Sequence, residues 1–193
     1  MICKRMTWIL MFTIVAVFAI DLILSPHPFS AEYLIYGNSY GLLTEYGRLV
    51  NVNDIHYQYW RIVTSIFLHA GIPHLIVNLI ALYVSGTLLE SVTGSVKLMF
   101  IFFISGVASS TINMFFTYGA VGASGAIYGM IGFLFASGAI KLKDKYSVIK
   151  LTVIVLYIIL PNLSSSTAII AHIAGLLAGI LLSFIPFLNS SEK

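Results

Sequence analysis

The segment Met6–Leu24, MTWILMFTIVAVFAIDLIL, decides the fold class, because its nineteen residues include a single charged side chain, Asp21. An apolar run of this length is long enough to cross the roughly 30 Å hydrocarbon core of a bilayer as an α-helix. It follows Lys4 and Arg5 as a signal peptide would, but the next residues, Ser25-Pro26-His27-Pro28, offer no small-x-small cleavage site. We therefore expect a membrane anchor that is retained.

The rest of the chain has the same character. Its 193 residues are 59% hydrophobic and only 9% charged, whereas a soluble domain carries roughly 25% charged residues. This composition excludes a soluble globular protein and a disordered one. The long unbroken apolar runs disfavour a membrane β-barrel, which requires alternation of apolar and polar residues.

The sequence therefore predicts an all-α, polytopic membrane bundle of six transmembrane helices in a single domain, residues 1–193. After the first span (about 6–24) comes an extracytoplasmic loop (about 25–61), which is too long for a simple turn and too rich in Tyr, Leu and Trp for a flexible linker. The remaining spans are expected at about 73–90, 98–116, 124–140, 146–160 and 168–188.

The basic residues predict the orientation of this bundle. Six spans place both termini on one side of the membrane, and eight Lys and Arg residues fall on or near that side, against Arg48 and Arg61 opposite. Since Lys and Arg favour the cytoplasmic side, we expect a multi-pass protein of the cell membrane with both termini cytoplasmic. No Lys and Arg cluster is suited to a nucleic-acid partner. The single cysteine, Cys3, excludes an internal disulfide.

Polar residues interrupt three of the spans, where hydrocarbon disfavours groups that are neither paired nor next to a cavity. His74 and Asn78 share one helical face, Ser124 follows a glycine-rich turn, and His172 lies in the last span. Counted from the cytoplasmic ends, His74, Ser124 and His172 all lie about 24–26 Å deep. Irregular backbone at this depth is tolerated only inside protein or beside a cavity, so the sequence predicts a wet pocket that opens to the outer side.

Such a pocket is suited to nucleophilic catalysis. A serine hydroxyl needs a base to take its proton, and histidine is suited to that role. No Asp or Glu lies at this depth, so Ser124 and His172 are expected to form a dyad. Tyr128, one turn from Ser124, is placed to stack on the imidazole. His74, Asn78 and the Ser124 backbone N–H are the candidate donors to an oxyanion.

Gly175 and Gly179 form a small-xxx-small seam that suits close helix packing. Five short motifs occur along the chain, which are Trp60-Arg61, His74-x-x-x-Asn78, Gly86-x-x-x-Glu90, Gly122-x-Ser124-Gly125 with Tyr128, and Ala171-His172-x-x-Gly175-x-x-x-Gly179. In this order, they resemble the rhomboid family of intramembrane serine proteases over essentially the whole six-span core.

The resemblance implies that Ser124 is the nucleophile, that His172 is the general base, and that His74, Asn78 and the Ser124 amide form the oxyanion hole. It implies a place near the active-site water for His69, and structural roles for Trp60-Arg61 and Glu90. It further implies the minimal six-helix bacterial form, cleavage of transmembrane protein substrates in the lipid bilayer, and no cofactor or metal.

Other classes of protein remain open at this stage. A transporter would also carry polar residues and glycine-broken helices, but would normally show a repeat and a polar path to the cytoplasmic side. A metal site formed by His69, His74 and His172 is disfavoured, since no carboxylate or thiol joins them. A catalytically inactive rhomboid-like protein that binds membrane clients is the nearest alternative, although it would lack the serine or the histidine.

Overall fold

The computed structural model describes residues 5–25, 31–36, 42–117, 119–139, 145–159 and 166–189. Within these ranges the regular structure is α-helical, apart from one isolated β-bridge. The helices are α1 (Arg5–Leu24), α2 (Ala31–Tyr36), α3 (Leu42–Gly47), α4 (Arg61–Thr64), α5 (Gly71–Thr93), α6 (Ser95–Asn113), α7 (Ser124–Ala136), α8 (Lys145–Ile159), α9 (Ser166–Ser183) and α10 (Pro186–Asn189).

The all-α class predicted from composition is confirmed in the described residues. Three helices, α1, α5 and α6, are long and apolar enough to cross a membrane by themselves. Helix α7 and residues Ile169–Ser183 of α9 are shorter apolar helices. The count of six spans stays a prediction.

Several helix ends differ from the expected spans for a local reason. Helix α5 begins at Gly71, which places Pro73 in the first turn, where its missing N–H needs no partner. Helix α9 ends at Ser183 rather than continuing to 188, because Pro186 cannot donate a backbone hydrogen bond and instead begins α10. The expected ends at 140 and 160, and the basic residues Lys4, Lys141, Lys143 and Lys193, lie outside the described residues.

Helix α7 occupies the centre of the bundle, with every residue from Gly125 to Leu134 buried. It packs most extensively against α9 and then against α6. A Cβ atom added at Gly175 would collide with the carbonyl oxygen of Gly125, and one added at Gly179 would collide with that of Gly129. The two backbones therefore touch, which only glycine permits. This contact brings the first turn of α7 next to the middle of α9.

Glu90 joins α1 to the junction between α5 and α6. It is completely buried, and its carboxylate accepts hydrogen bonds from the backbone N–H groups of Met6 (2.9 Å) and Thr7 (3.1 Å). The hydroxyls of Thr7 and Ser95 also donate to it, each at 2.6 Å. Because the start of a helix has unsatisfied N–H groups, this carboxylate caps α1.

The described C-terminal end of the chain approaches the same junction. The Lys97 ammonium, near the start of α6, lies 5.2 Å from the centre of the Phe187 ring in α10. The first residues of α1 and the last described helix are therefore at one end of the bundle.

The first loop folds back onto the segment that leads into α7. Arg61 is buried and donates to the carbonyl oxygens of Glu45 (2.9 Å) and Arg48 (3.1 Å) and to Gln58 Oε1 (2.6 Å). The antiparallel bridge between Leu49 and Ala120 is made by backbone hydrogen bonds of 2.9 and 3.0 Å. The loop thereby braces the turn that precedes Ser124.

Candidate active site

A cavity of about 840 Å³ lies between the helices on one side of α7. Its wall includes apolar side chains from α5 and α8, which are Val77, Ile80, Val153 and Leu156. Its polar lining includes Ser124, His74, Asn78 and His172. The cavity thus brings together His74, Ser124 and His172, which lie on three different helices and which sequence spacing predicts to lie at one depth.

Ser124 and His172 form a hydrogen-bonded pair in this cavity. The distance from His172 Nε2 to Ser124 Oγ is 3.0 Å. Ser124 is the first residue of α7, directly before the glycine that contacts Gly175, and His172 lies about one turn before Gly175 on α9. When the imidazole is neutral with its proton on Nδ1, Nε2 accepts the hydroxyl proton, which is the geometry required of a general base.

The ring of Tyr128 restricts the orientation of the His172 imidazole. The Tyr128 and His172 rings are stacked, with centroids 4.1 Å apart and planes 3° from parallel. The Tyr128 hydroxyl donates to the backbone carbonyl of Tyr157 at 3.1 Å. Because both ends of the Tyr128 side chain are in contact with other helices, its ring limits rotation of His172.

His74 presents an N–H group toward the turn before Ser124. The backbone N–H of Ala70 donates to His74 Nδ1 at 3.3 Å, which leaves Nε2 as the protonated nitrogen of the neutral ring. Gly122 adopts a φ of +128°, and a Cβ atom there would lie 3.0 Å from His74 Nε2. The glycine therefore lets the turn pass against the ring, and the Gly122 N–H donates to the carbonyl of Ser65 at 2.8 Å.

Asn78 is buried, and both ends of its amide are engaged. Its Nδ2 donates to the carbonyl of His74 at 2.9 Å, one turn earlier in α5. Its Oδ1 accepts a hydrogen bond from the hydroxyl of Tyr157 at 3.1 Å. An amide nitrogen carries two protons, so one remains to be donated to a group in the cavity.

His69 also contacts the turn that precedes Ser124. Its Nδ1 is 3.3 Å from the carbonyl of Phe67, and its Nε2 accepts from the backbone N–H of Ala123 at 3.5 Å. The His69 and His74 rings are 5.2 Å apart at their centroids. His69 therefore contacts the residue immediately before Ser124.

The residues for which the resemblance implies structural roles lie outside this site. Trp60 is more than half exposed, Arg61 lies in the first loop, and Glu90 lies at the α5–α6 junction. Sequence reasoning missed two residues, Tyr157 and Asn113. The Asn113 side chain lines the cavity, and its carbonyl oxygen is buried without a hydrogen-bond partner among the described residues. Its position in a span rich in small polar residues was the only sequence signal.

Comparison with protein families gives a match to the Rhomboid domain over residues 56–189. The Bacillus subtilis protein YdcA is 30% identical over 142 residues, which are 70% of this chain and 71% of YdcA. Rhomboid protease GluP, also of Bacillus subtilis, is 36% identical over 128 residues, which are 63% of this chain and 25% of GluP.

A similar protein also occurs in Toxoplasma gondii. Rhomboid-like protease 3 of Toxoplasma gondii is 31% identical over 135 residues, which are 66% of this chain and 51% of that protein. The chain thus spans most of YdcA, about half of the Toxoplasma protein and a quarter of GluP.

Proposed function

This chain belongs to the rhomboid family, and we propose that it is a serine endopeptidase that cleaves transmembrane segments of membrane proteins. The observation that carries the proposal is the 3.0 Å contact between Ser124 Oγ and His172 Nε2 inside a cavity that also holds His74 and Asn78. The arrangement contains the nucleophile, the base and the donors that acyl transfer requires.

In the first half of the proposed reaction, Ser124 Oγ attacks the carbonyl carbon of the scissile peptide while His172 Nε2 takes the hydroxyl proton. The imidazolium then gives this proton to the leaving amine, and an acyl-enzyme remains on Ser124. In the second half His172 Nε2 takes a proton from a water molecule as the water oxygen attacks the ester carbon. The imidazolium then returns this proton to Ser124 Oγ as the acyl C–O bond breaks and the carboxyl product leaves. The stacked Tyr128 ring keeps Nε2 directed at Oγ through both halves.

The negative charge on the carbonyl oxygen is stabilised by His74 Nε2–H, by the remaining Nδ2 proton of Asn78 and by the Ser124 backbone N–H. The two side-chain donors are held in place before the substrate arrives. The backbone N–H of Ala70 fixes the tautomer of His74. The Asn78 amide is fixed by its hydrogen bonds to the Tyr157 hydroxyl and the His74 carbonyl. Prearranged donors of this kind supply a large part of the rate enhancement in acyl transfer.

The walls of the cavity support a membrane-embedded substrate. Val77 and Ile80 of α5 and Leu156 of α8 line the cavity and are each about half exposed, so an apolar face on the outside of the bundle continues into the catalytic cavity. A transmembrane segment of a substrate can contact these side chains without leaving an apolar environment. A soluble peptide would gain less from such a surface.

We further propose six spans, with both termini in the cytoplasm and the cavity open to the outer side of the cell membrane. The contacts of Glu90 with α1 and of Lys97 with α10 support termini on one side. The side itself follows from the distribution of Lys and Arg. This orientation can be tested with a reporter domain that is active only in the cytoplasm. When the reporter is fused after Lys193, we expect it to be active.

The decisive test is reaction of the purified protein in detergent or liposomes with a fluorophosphonate probe and with a model transmembrane substrate. We expect labelling and cleavage by the wild-type chain, and neither labelling nor cleavage by Ser124→Ala. His172→Ala should reduce both to background, because no other base contacts Ser124 Oγ among the described residues.

Matched variants separate catalysis from folding. Ser137→Ala, at the other end of α7, and His56→Ala, an exposed residue of the first loop, should label and cleave as the wild type does. Cleavage by Ser124→Ala at the wild-type rate would exclude this mechanism. A wild-type chain that binds transmembrane peptides but neither cuts them nor reacts with the probe would instead be an inactive rhomboid-like client-binding protein.

A further inference from the structure

We propose that Tyr157 of α8 is a positioning residue for the oxyanion hole, which it serves by holding the amide of Asn78. This inference rests on the proposed protease function and adds to it a residue outside the four expected catalytic groups. The evidence is a buried hydrogen bond of 3.1 Å from the Tyr157 hydroxyl to Asn78 Oδ1. Tyr157 and Asn78 are only 5% and 2% exposed.

The chemistry of a carboxamide explains why such a partner is needed. The two ends of the Asn78 amide have similar shapes, but only the NH₂ end stabilises an oxyanion. Donation by Tyr157 occupies Oδ1, and donation by Nδ2 to the His74 carbonyl occupies one proton of the other end. The two bonds together fix the plane of the amide, so that the second Nδ2 proton is the group left for the substrate.

The bond to Tyr157 also affects the strength of that donor. A hydrogen bond received at the oxygen of an amide polarises the group and makes its N–H protons better donors, and this effect is larger in a dry, low-dielectric site. Tyr157 therefore contributes in two ways, by orientation and by polarisation. Both act on the transition state, where the oxygen is negative, more than on the bound substrate.

Tyr157 in addition joins the two halves of the site. Its backbone carbonyl accepts from the Tyr128 hydroxyl, and Tyr128 stacks on His172. Its side chain reaches Asn78 on α5. One residue of α8 thus contacts both the support of the base and the oxyanion donor. This double contact sets their relative positions, although α5 and α9 are far apart in sequence.

The test is a double-variant cycle of Tyr157→Phe and Asn78→Ala, measured by cleavage of a transmembrane substrate. Tyr157→Phe removes one oxygen and keeps the ring, and we expect kcat to fall about 10-fold with KM within about twofold of wild type. Asn78→Ala should lower kcat by about 10²–10³-fold. In the double variant the loss should equal that of Asn78→Ala alone, because the hydroxyl then has no amide to hold.

Each rate is divided by the concentration of active sites titrated with the fluorophosphonate, so unfolded protein does not enter the comparison. Tyr146→Phe, an exposed tyrosine on the same helix, is the matched control and should keep the wild-type kcat.

The outcomes distinguish the inference from the function on which it rests. A wild-type kcat in Tyr157→Phe, or losses that multiply in the double variant, would overturn the positioning role while the protease function stands. An unchanged kcat with a raised KM would also overturn it, since that pattern indicates a substrate contact. If the wild-type chain neither cuts nor reacts with the probe, the protease function fails and the positioning role fails with it.

Discussion

The close contact between α7 and α9 predicts the effect of adding a single methyl group at Gly175. A Cβ atom at this position would lie 2.9 Å from the carbonyl carbon of Gly125 and would collide with its oxygen. Carbon atoms in contact are separated by about 3.5 Å or more, so the helices must move apart by at least about 0.6 Å. Backbone lies on both sides of this contact, so no side-chain rotation relieves it.

This displacement acts on the Ser124–His172 pair because Gly125 follows Ser124 directly and Gly175 lies one turn from His172. A separation of at least about 0.6 Å, directed along the contact between Ser124 Oγ and His172 Nε2, lengthens it from 3.0 Å to about 3.6 Å or more, beyond the range of a hydrogen bond. Misplacement of reacting groups by about 1 Å costs roughly 10² in rate. We therefore expect kcat of Gly175→Ala to be about 10- to 100-fold below wild type.

The variant should nevertheless remain folded. Overpacking in a core costs about 1–3 kcal/mol, whereas alanine is favoured over glycine inside a helix by about 1 kcal/mol. The net loss of unfolding free energy is then about 0–2 kcal/mol, which a thermal unfolding curve resolves. We expect the fold-reduction in kcat to exceed the fold-reduction in the amount of folded protein.

The assay compares cleavage of a transmembrane substrate and the rate of fluorophosphonate labelling for Gly175→Ala and wild type in the same detergent. Leu177→Ala, on the half-exposed face of the same helix, is the control and should stay within about twofold of wild type. A Gly175→Ala protein that cleaves and labels at the wild-type rate would refute the claim that this glycine contact sets the Ser124–His172 distance.

Three further variants test other parts of the structure. Glu90→Ala removes the carboxylate that caps α1 and leaves the buried donors around it unsatisfied. The unfolding free energy, measured by denaturant titration, should therefore fall by about 3–5 kcal/mol. A loss below about 1 kcal/mol would contradict this role of Glu90. Asn113→Leu removes a buried side-chain oxygen that has no hydrogen-bond partner among the described residues. The thermal unfolding temperature should therefore stay equal or rise. A clear decrease would indicate that this oxygen is hydrogen-bonded in the membrane. In Arg61→Lys, the single ammonium group cannot bind the three acceptors that the planar guanidinium of Arg61 reaches. Limited proteolysis between residues 45 and 61 should therefore become faster. An unchanged rate of proteolysis would argue against a bracing role for Arg61.

The all-α class and the candidate site residues could be predicted from sequence for the same physical reason. In a chain with 9% charged residues, each polar group inside an apolar run is conspicuous, since hydrocarbon tolerates it only when it is paired or wet. Counting residues along a helix converts such positions into depths, which is how Ser124, His74 and His172 were assigned to one level. In the structure these three residues line one cavity, while their depth in the membrane stays a prediction.

The helix ends were less accessible, because they depend on local hydrogen bonding that hydropathy does not describe. The sequence of the last span is apolar through Leu188, yet the helix stops at Ser183 because Pro186 cannot continue it. At α5 the helix begins before Pro73 rather than at it. In both cases a proline marks the region of a boundary, while the bonds of its neighbours decide the residue.

Tyr157 was not accessible at all, and the reason is the solvent. In a soluble protein, apolar residues recur with helical periodicity on the buried face of a helix. Lipid accepts apolar side chains on every face, so the sequence of α8 contains little information about which face of the helix points into the bundle. Which residue of α8 meets Asn78 therefore depends on tertiary packing alone. A tyrosine among Ile, Leu and Val is equally compatible with an interfacial anchor, and only the contact of its hydroxyl with Asn78 Oδ1 distinguishes the two roles. In membrane helices, sequence spacing thus predicts depth, whereas lateral partners require the structure.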